Sequence, residues 1–286
     1  QSMILFKKAL ALQNWLDKQR KSGLKLGFVP TMGALHDGHI SLIDSSKKVN
    51  DITVCSIFVN PTQFNNTIDF DKYPSTIEQD IPKLEDAGCD VLFLPSVEEI
   101  YPSGLAIEKI YDLGNLEAIL EGEFRPGHYQ GVCMVVDRLL NIVMPDNLYL
   151  GEKDYQQCMV ITKLIELIGL KEKIAITICP TLRESDGLAM SSRNMRLNEN
   201  ERSRSAIIFQ TLSFIKNNAG KSTPIALKKE AARMLEEVGF KVDYVEIADK
   251  SSLTSIKDWA ESKKAVALIA AYNNEIRLID NMLLFD

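Results

Sequence analysis

The chain up to about residue 179 alternates segments of helical spacing with short apolar runs. Apolar residues at helical spacing predict helices, and short apolar runs between turn residues predict buried strands. The predicted helices cover about 6–22, 39–49, 77–87, 132–143 and 153–168, and the predicted strands cover about 24–29, 51–59, 91–94, 148–150 and 174–179. This alternation indicates an α/β fold with a Rossmann-like, doubly wound parallel sheet, whose ligands bind beyond the carboxyl ends of the strands.

The pattern changes after Cys179, where residues 180–196 are polar and irregular. Capping signals at Asn198 and Thr223 predict two helices. Three short strand-like runs follow, at 242–247, 265–271 and 276–279. We therefore expect a Rossmann-like ligand-binding domain over residues 1–179 and a small α+β domain over residues 180–286.

Composition, net charge and the length of the apolar runs argue against several classes of function. The 286 residues are 45% hydrophobic and 25% charged, which is typical of globular proteins. The net charge of -6 argues against a broad nucleic-acid surface, although it permits a local basic pocket for a small anion. Apolar runs fall short of the roughly 18 to 20 residues that cross a bilayer, and the first residues lack a signal-peptide pattern. We therefore expect a cytoplasmic protein that binds neither nucleic acid nor membrane.

The five cysteines form no CxxC pair, and each lies in or beside an apolar segment. An odd count in such surroundings favours reduced core residues over disulfides or a metal site.

Two of the three histidines, His36 and His39, lie in the segment GFVPTMGALHDGH at 27–39, between a predicted strand and a predicted helix. Free backbone N–H groups and the helix dipole at such a junction favour an anion. The glycines match the start of a P-loop, but His39 and Ile40 replace its Lys and Ser or Thr, and the dinucleotide GxGxxG is also absent. Imidazoles there can donate hydrogen bonds to phosphate oxygens. A glycine-rich turn with incidental histidines stays open as the alternative.

A zinc site is a less favoured hypothesis, with His36, His39 and His128 as ligands. The chain has no HExxH motif. We also expect Asp37, between the two neighbouring histidines, to lie in a loop, where helical ligand spacing does not apply.

Four further polar clusters fall where strands are predicted to end or helices to begin. They contain Asn60 and Gln63 in FVNPTQF, Arg125 and His128 in EGEFRPGHYQGV, Lys153, Asp154 and Gln157 in GEKDYQQ, and Ser191, Ser192 and Arg193 in MSSRN. Amides bind hydroxyls or carboxylates without added charge, ammonium and guanidinium groups bind phosphates, and a carboxylate can hold a ribose hydroxyl. Each cluster alone is more often a turn or a cap. Together they predict one binding region at an edge of the sheet.

These motifs, with PTMGALHDGH, LAMSSRN and IRLIDN, resemble the pantoate–beta-alanine ligase family of the HxGH nucleotidyltransferase superfamily over essentially the whole chain. HxGH alone indicates only the superfamily, whereas FVNPTQF, GEKDYQQ and SSRN in this order are specific to the ligase. Two rivals remain, a nucleotidyltransferase that releases a nucleotide-linked product and a nucleotide-binding regulator without catalysis.

The resemblance implies an ATP-dependent, AMP-forming ligase that joins pantoate and β-alanine through a pantoyl adenylate, with nucleotide and pantoate bound by residues 1–179. It implies Mg²⁺, and since no run of carboxylates marks a protein site, we expect ATP and water to hold the ion. It also implies a homodimer and a C-terminal domain that acts as a lid over the adenylate.

The resemblance further implies roles for individual residues. The residues that bind ATP are Pro30, Thr31, Met32, Gly33, Ala34, Leu35, His36, Asp37, Gly38, His39, Gly151, Glu152, Lys153, Asp154, Leu182, Met190, Ser191, Ser192 and Arg193. The residues that bind pantoate or β-alanine are Gln63, Gln157, Asn60 and Met32. The catalytic residues are His39 as proton donor, His36, Lys153, Ser191, Ser192 and Arg193, which are expected to converge on one triphosphate. Arg125 and His128 support the binding residues from behind.

Overall fold

The computed structural model describes residues 2–107 and 109–285. The chain divides into two compact units. The first comprises Gln1–Glu152 and Gln156–Pro180, and the second comprises Lys153–Tyr155 and Thr181–Asp286. The first unit contains two clusters of buried apolar side chains, and the second unit contains one.

The helices and strands before residue 181 follow one another with short connections. They are β1 (Ile4–Phe6), α1 (Ala9–Lys21), β2 (Leu26–Thr31), α2 (Asp37–Lys47), β3 (Ile52–Ile57), α3 (Thr67–Asp71), α4 (Ile77–Asp86), β4 (Val91–Phe93), α5 (Val97–Ile100), α6 (Glu121–Phe124), α7 (His128–Val143), β5 (Asn147–Gly151), α8 (Tyr155–Leu167) and β6 (Ala175–Cys179). Single 3₁₀ turns lie at Pro61–Gln63, Gly114–Glu117 and Glu152–Asp154.

The six strands form one parallel sheet in the order β1-β4-β3-β2-β5-β6. From β2 the sheet continues through β3 and β4 to β1 at one edge. Strands β5 and β6 lie on the other side of β2, so the strand order reverses there. The sheet therefore has its switch point between β2 and β5, and in such sheets the ligand lies beyond the carboxyl ends of the two strands at that point. The predicted α/β doubly wound fold is confirmed.

Pro30 lies near the carboxyl end of the central strand β2, where a residue without an N–H group would normally be excluded. β2 pairs with β5 only at Gly27 and Phe28, whereas it pairs with β3 as far as Thr31. The two strands at the switch point have therefore separated before Pro30. This separation leaves space between the strand ends.

Several boundaries differ from the sequence prediction, and three of the differences change the description of an element. Residues Ile4–Phe6 form a strand beside β4, and the first helix begins at Ala9, whereas a helix was predicted from residue 6. Three residues are too few for periodicity to separate strand from helix, and a distant part of the chain supplies the pairing. Helix α7 begins at His128 rather than at residue 132. Helix α2 begins at Asp37, so the prediction that this residue lies in a loop is wrong.

The second unit is an α+β arrangement. Its elements are α9 (Glu199–Ser205), α10 (Ile207–Asn218), α11 (Pro224–Glu237), β7 (Lys241–Asp249), β8 (Ala265–Asn273) and β9 (Ile276–Leu283). The three strands form an antiparallel sheet in the order β7-β8-β9. Asn198 forms the predicted capping box with Glu201, and Thr223 caps the helix that begins at Pro224. The smaller α+β part of the prediction is confirmed, and its strands extend a few residues beyond the predicted runs.

Two further features concern the state of the cysteines and the length of the apolar helices. All five cysteines are free and buried, as the sequence predicted. Across residues 2–107 and 109–285, none of the helices combines the length and apolar character needed to span a membrane.

Candidate active site

The turn that follows β2 is built from an unusual backbone. Thr31 Oγ1 donates to the carbonyl of Ser56 at 2.8 Å and accepts the N–H of Gly33 at 3.2 Å. Gly33 and Ala34 both have left-handed backbone angles, with φ of 79° and 50°. This conformation costs nothing special for glycine but is strained for alanine, by about 1–2 kcal/mol. The turn therefore needs other contacts to hold it.

A buried carboxylate supplies those contacts. Asp80, on α4, accepts the N–H groups of Ala34 at 2.9 Å and of Leu35 at 2.8 Å. Its side chain also accepts the hydroxyl of Thr76 at 3.0 Å, and the residue is 1% exposed. Sequence reasoning missed Asp80, because it belongs to no motif and the backbone groups that it binds lie about 45 residues away.

The two neighbouring histidines form the N-terminal cap of α2. His36 is the N-cap residue, and its Nδ1 accepts the N–H of Gly38 at 3.2 Å. The Nδ1 of His39 accepts the N–H of His36 at 3.3 Å, which completes a capping box. The ring centroids lie 4.0 Å apart. Since both Nδ1 atoms accept hydrogen bonds, each neutral ring carries its proton on Nε2, and both Nε2–H groups are donors.

Five of the backbone N–H groups that were expected to bind an anion in this turn have protein partners in the structure. The N–H groups of Gly33, Ala34, Leu35, His36 and Gly38 are already hydrogen-bonded to side chains of the first unit. A P-loop offers such groups to phosphate, whereas this turn uses them for its own internal bonds. The side-chain donors of this segment are the Nε2–H groups of the two imidazoles.

A second polar cluster follows β3. The side chain of Asn60, 1% exposed, donates to Gln63 Oε1 at 3.0 Å and to the carbonyl of Gly131 at 3.1 Å. Its Oδ1 accepts the hydroxyls of Tyr101 at 2.7 Å and of Thr62 at 3.0 Å. Protein groups thus occupy both the donor and acceptor sides of the Asn60 amide. The geometry suits holding Gln63 in place, and Tyr101 is a support that sequence reasoning missed.

Gln63 connects this cluster to the histidine segment. Its Nε2 donates to the sulfur of Met32 at 3.4 Å. Met32 directly precedes Gly33 in the turn after β2. The structure therefore brings together Met32, Asn60 and Gln63, three of the four residues predicted to bind pantoate or β-alanine.

Arg125 and His128 lie behind Gln63. His128 Nδ1 bonds to the carbonyl oxygen of Gln63 at 2.8 Å, and its Nε2 bonds to Arg125 Nη1 at 3.1 Å. Arg125 in turn forms an ion pair with the buried Glu121 at 3.2 Å. A carbonyl oxygen can only accept and a guanidinium can only donate, so the neutral ring of His128 carries its proton on Nδ1. Glu121, which sequence reasoning missed, begins this chain of bonds.

Two adjacent glutamines on α8 have different environments. Gln156 is buried and donates to the carbonyls of Leu116 at 2.8 Å and of Ile119 at 2.9 Å. Gln157, the predicted binding residue, is half-buried, and no described residue hydrogen-bonds to its side chain. Gly151 ends β5 and Glu152 begins the following 3₁₀ turn. These two predicted residues therefore lie at the carboxyl end of a strand that flanks the switch point.

In the second unit, Lys153 is anchored beside a buried ion pair. The side-chain amide of Asn281 donates to the carbonyl of Lys153 at 2.9 Å. The neighbouring Asp280 accepts two bonds from Arg183, at 2.6 and 3.0 Å. Burial raises the pKa of the Asp280 carboxyl, while the guanidinium of Arg183 and the ammonium of Lys153 act in the opposite direction. The predicted Asp154 lies next to Lys153 on the same turn.

The same unit carries the predicted serine–arginine segment on a short hairpin. The N–H of Met190 donates to the carbonyl of Leu182 at 3.0 Å, and Arg183 pairs with Ala189. Ser191 then caps the turn Ser192–Arg196 by accepting the N–H of Arg193 at 3.3 Å. Leu182 and Met190 are therefore backbone partners. Arg183, which sequence reasoning missed, ties this hairpin to Asp280.

The predicted site residues thus fall into two groups. The first unit holds Pro30 to His39, Asn60, Gln63, Arg125, His128, Gly151, Glu152 and Gln157, and the second holds Lys153, Asp154, Leu182 and Met190 to Arg193. Within the part of the chain that the structure describes, no three or more His, Cys, Asp or Glu side chains form a group that could hold a metal. The zinc hypothesis has no support from this geometry, since His128 bonds to Gln63 and Arg125.

The doubly wound parallel sheet, with His36 and His39 in the segment after its central strand, agrees with the class of HxGH-type α/β enzymes that the sequence resembles. Comparison with protein families agrees, because the model of the pantoate-beta-alanine ligase family matches residues 4–283. The chain is 43% identical over 281 residues to a pantothenate synthetase from Porphyromonas gingivalis, covering 98% of this chain and 99% of the relative. It is 44% identical over 276 residues to the Phocaeicola vulgatus pantothenate synthetase, covering 95% of each.

Solved structures give the same result. A pantothenate synthetase from Thermus thermophilus has a TM-score of 0.91 and 37% identity, covering 99% of this chain and 100% of that one. A pantoate-beta-alanine ligase from Francisella tularensis, in complex with beta-gamma ATP and beta-alanine, has a TM-score of 0.82 and 38% identity, covering 99% of this chain and 98% of that one. The chain belongs to the pantoate–beta-alanine ligase family.

Proposed function

We propose that the chain condenses (R)-pantoate with β-alanine to pantothenate at the expense of ATP, through pantoyl adenylate. In the first step a carboxylate oxygen of pantoate attacks the α-phosphorus, the bond to the bridging oxygen breaks, and pyrophosphate leaves. In the second step the neutral amine of β-alanine attacks the acyl carbon, loses a proton, and displaces AMP. The observation that carries this proposal is the family match over residues 4–283.

The first step needs charge stabilisation more than bond-making by the protein. Negative charge builds on the departing pyrophosphate, and donors that are already oriented lower the energy of that state. His36 and His39 suit this task, because their capping bonds fix the neutral rings with Nε2–H as the donor. We assign His39 as the donor to the leaving group and His36 as its neighbour at the phosphates.

The residues of the second unit are proposed to neutralise the triphosphate. Lys153 offers an ammonium, Arg193 a guanidinium, and Ser191 and Ser192 their hydroxyls. Gly151, Glu152 and Asp154 are proposed to contact the nucleotide, as are Leu182 and Met190 on their hairpin. These roles follow the family motif position by position.

Pantoate is proposed to bind the amides of Gln63 and Gln157. Gln63 is held from three directions, by Asn60, Met32 and His128, so little entropy is lost when it binds a ligand. Gln157 has no protein partner for its amide among the described residues. Asn60, Arg125 and His128 act on pantoate through Gln63.

Magnesium is expected to accompany ATP, but the described residues offer no group of three or more candidate ligands for it. A Mg²⁺ ion that keeps several waters and binds phosphate oxygens needs no such group. The homodimer, the cytoplasmic location and the closure of residues 180–286 as a lid stay predictions.

The proposal is tested by incubating the protein with MgATP, pantoate and β-alanine, and by following AMP and pantothenate. We expect AMP and pantothenate in equal amounts, both dependent on β-alanine. A stable nucleotide-linked product would instead identify a nucleotidyltransferase. Absence of pyrophosphate release would identify a binding protein without catalysis.

A further inference from the structure

Helix α4 holds the turn before the two histidines from both sides. Asp80 accepts three hydrogen bonds, from the N–H groups of Ala34 and Leu35 and from the hydroxyl of Thr76. Lys83, one turn further along α4, donates from Nζ to the carbonyl of Leu35 at 2.6 Å. In all three bonds the carboxyl group of Asp80 is the acceptor. Two of the three bonds that this buried group accepts therefore come from a single backbone turn.

That turn determines where the imidazoles point. Gly33 and Ala34 are both left-handed, and a Cβ added at Gly33 would lie 3.2 Å from Asp80 Oδ2 and 2.9 Å from a methyl group of Ile57. Leu35, which is bonded to both Asp80 and Lys83, directly precedes His36. The N–H of His36 is in turn the donor that orients His39. A change at Asp80 is thus transmitted through two residues of backbone to both rings.

We propose that Asp80 is a positioning residue for the adenylation step, and that it acts by fixing the turn at residues 33–35 and hence the two imidazole donors. The inference rests on the proposed function for the identity of the reaction. Asp80 does not touch the substrate in this account. Its position under the turn also explains how alanine tolerates a left-handed backbone at residue 34.

The test is the isosteric variant Asp80→Asn. An amide can accept through Oδ1 only, and its own N–H groups face the backbone donors, so at least one bond to the turn is lost. We expect kcat for pyrophosphate release to fall about tenfold to a hundredfold, as for an angstrom-scale misplacement of catalytic groups. KM for pantoate should stay within about twofold, because Asp80 makes no bond to Gln63 or its supports.

A matched control and a spectroscopic readout separate positioning from general destabilisation. Asp146 also accepts a backbone N–H of β2, that of Leu26 at 2.7 Å, but at the opposite end of the strand. Asp146→Asn should retain kcat. In ¹⁵N-labelled protein, the imidazole nitrogen signals of His36 and His39 should shift in Asp80→Asn, while those of His128 stay in place.

If Asp80→Asn matches Asp146→Asn in kcat, or if the signals of the two rings do not move, the inference is wrong. Should Asp80→Asn fail to fold, Lys83→Met decides the matter, since the Lys83 side chain is exposed and its loss leaves the core intact. A severalfold fall in kcat with shifted imidazole signals supports the inference, and wild-type values overturn it. Failure of the proposed function is a separate outcome, because the wild-type protein would then make no pantothenate.

Discussion

At the scale of single residues, hydrogen-bond partners give the three histidines different chemical roles. His36 and His39 accept backbone N–H groups at Nδ1, so Nε2 carries the proton. His128 donates from Nδ1 to a carbonyl and accepts from Arg125 at Nε2. The neutral rings of His36 and His39 therefore carry an Nε2–H donor, whereas the ring of His128 links Arg125 to the backbone of Gln63. A histidine's use depends on which nitrogen the fold has already occupied.

This difference leads to a prediction for His39→Asn. The Oδ1 of asparagine can replace Nδ1 as acceptor of the His36 N–H, so the cap and the stability should be retained. The Nε2–H donor is lost, and pyrophosphate release should slow by about a hundredfold or more, as when one transition-state donor is removed. Single-turnover kinetics measure this step directly.

His39→Gln serves as the comparison, because its amide N–H can reach the position of Nε2. It should retain more activity than His39→Asn. If both variants turn over within about threefold of the wild type, then His39 is not the donor to the leaving group.

At the scale of elements, close packing between α7 and the segment after β3 fixes Gln63. Gly131 lies in the second turn of α7, and a Cβ there would be 2.2 Å from the carbonyl oxygen of Thr62 and 2.7 Å from the Cα of Gln63. The same helix supplies His128, which binds the carbonyl of Gln63. Helix α7 therefore supports the segment that is proposed to bind pantoate.

Gly131→Ala tests this packing, because two effects oppose each other. Alanine favours the helix by about 1 kcal/mol over glycine. Overpacking against backbone costs about 1–3 kcal/mol and displaces the segment. We expect a net loss of stability and a raised KM for pantoate, measured by urea unfolding and steady-state kinetics.

Asn141→Ala, on the exposed side of the same helix, is the control and should leave both quantities unchanged. Gly131→Ala with increased stability and unaltered KM would show that the segment can move aside without consequence.

At the scale of the whole molecule, several carboxyl groups are stabilised in their charged form. Hydrogen bonds from Ser251 and Ser262 lower the pKa of Asp249, an ion pair with Arg202 lowers that of Asp186, and the capping bond from Asn198 lowers that of Glu201. All three carboxyl groups belong to the second unit. Each binds protons more weakly in the folded state than in the unfolded state. Their contribution to stability is therefore complete above their unfolded pKa values and is lost as the pH falls through the folded values.

We accordingly predict that the second unit loses stability on acidification below about pH 4, and that Asp249→Asn reduces this dependence. The two tryptophans are Trp15 in the first unit and Trp259 in the second. In a Trp15→Phe background, fluorescence therefore reports on the second unit, and its urea midpoint is measured between pH 7 and pH 3.

Asp44→Asn provides the control, because Asp44 is an exposed carboxylate on α2 in the first unit. It should leave the pH dependence unchanged. An equal pH dependence in Asp249→Asn and in the Trp15→Phe parent would contradict the role assigned to Asp249.

The sequence by itself determined the fold class, most of the helices and strands, and the family. Buried parallel strands are continuous apolar runs, and helix caps such as Asn198 with Glu201 are local signals. Both can therefore be recognised from the sequence alone. The residues that carry the chemistry were also visible, because they occur in short contiguous motifs such as PTMGALHDGH and FVNPTQF.

Only the tertiary structure decided which other residues hold the motif residues in place. Asp80, Tyr101 and Arg183 bind partners that are distant in the sequence, and β1 forms only because β4 pairs with it. The tertiary structure also showed that the backbone donors of the histidine turn are already in use. A hydrogen bond between distant residues has no sequence periodicity, so the supports of the site, and the proton positions that depend on them, become visible only once the chain is folded.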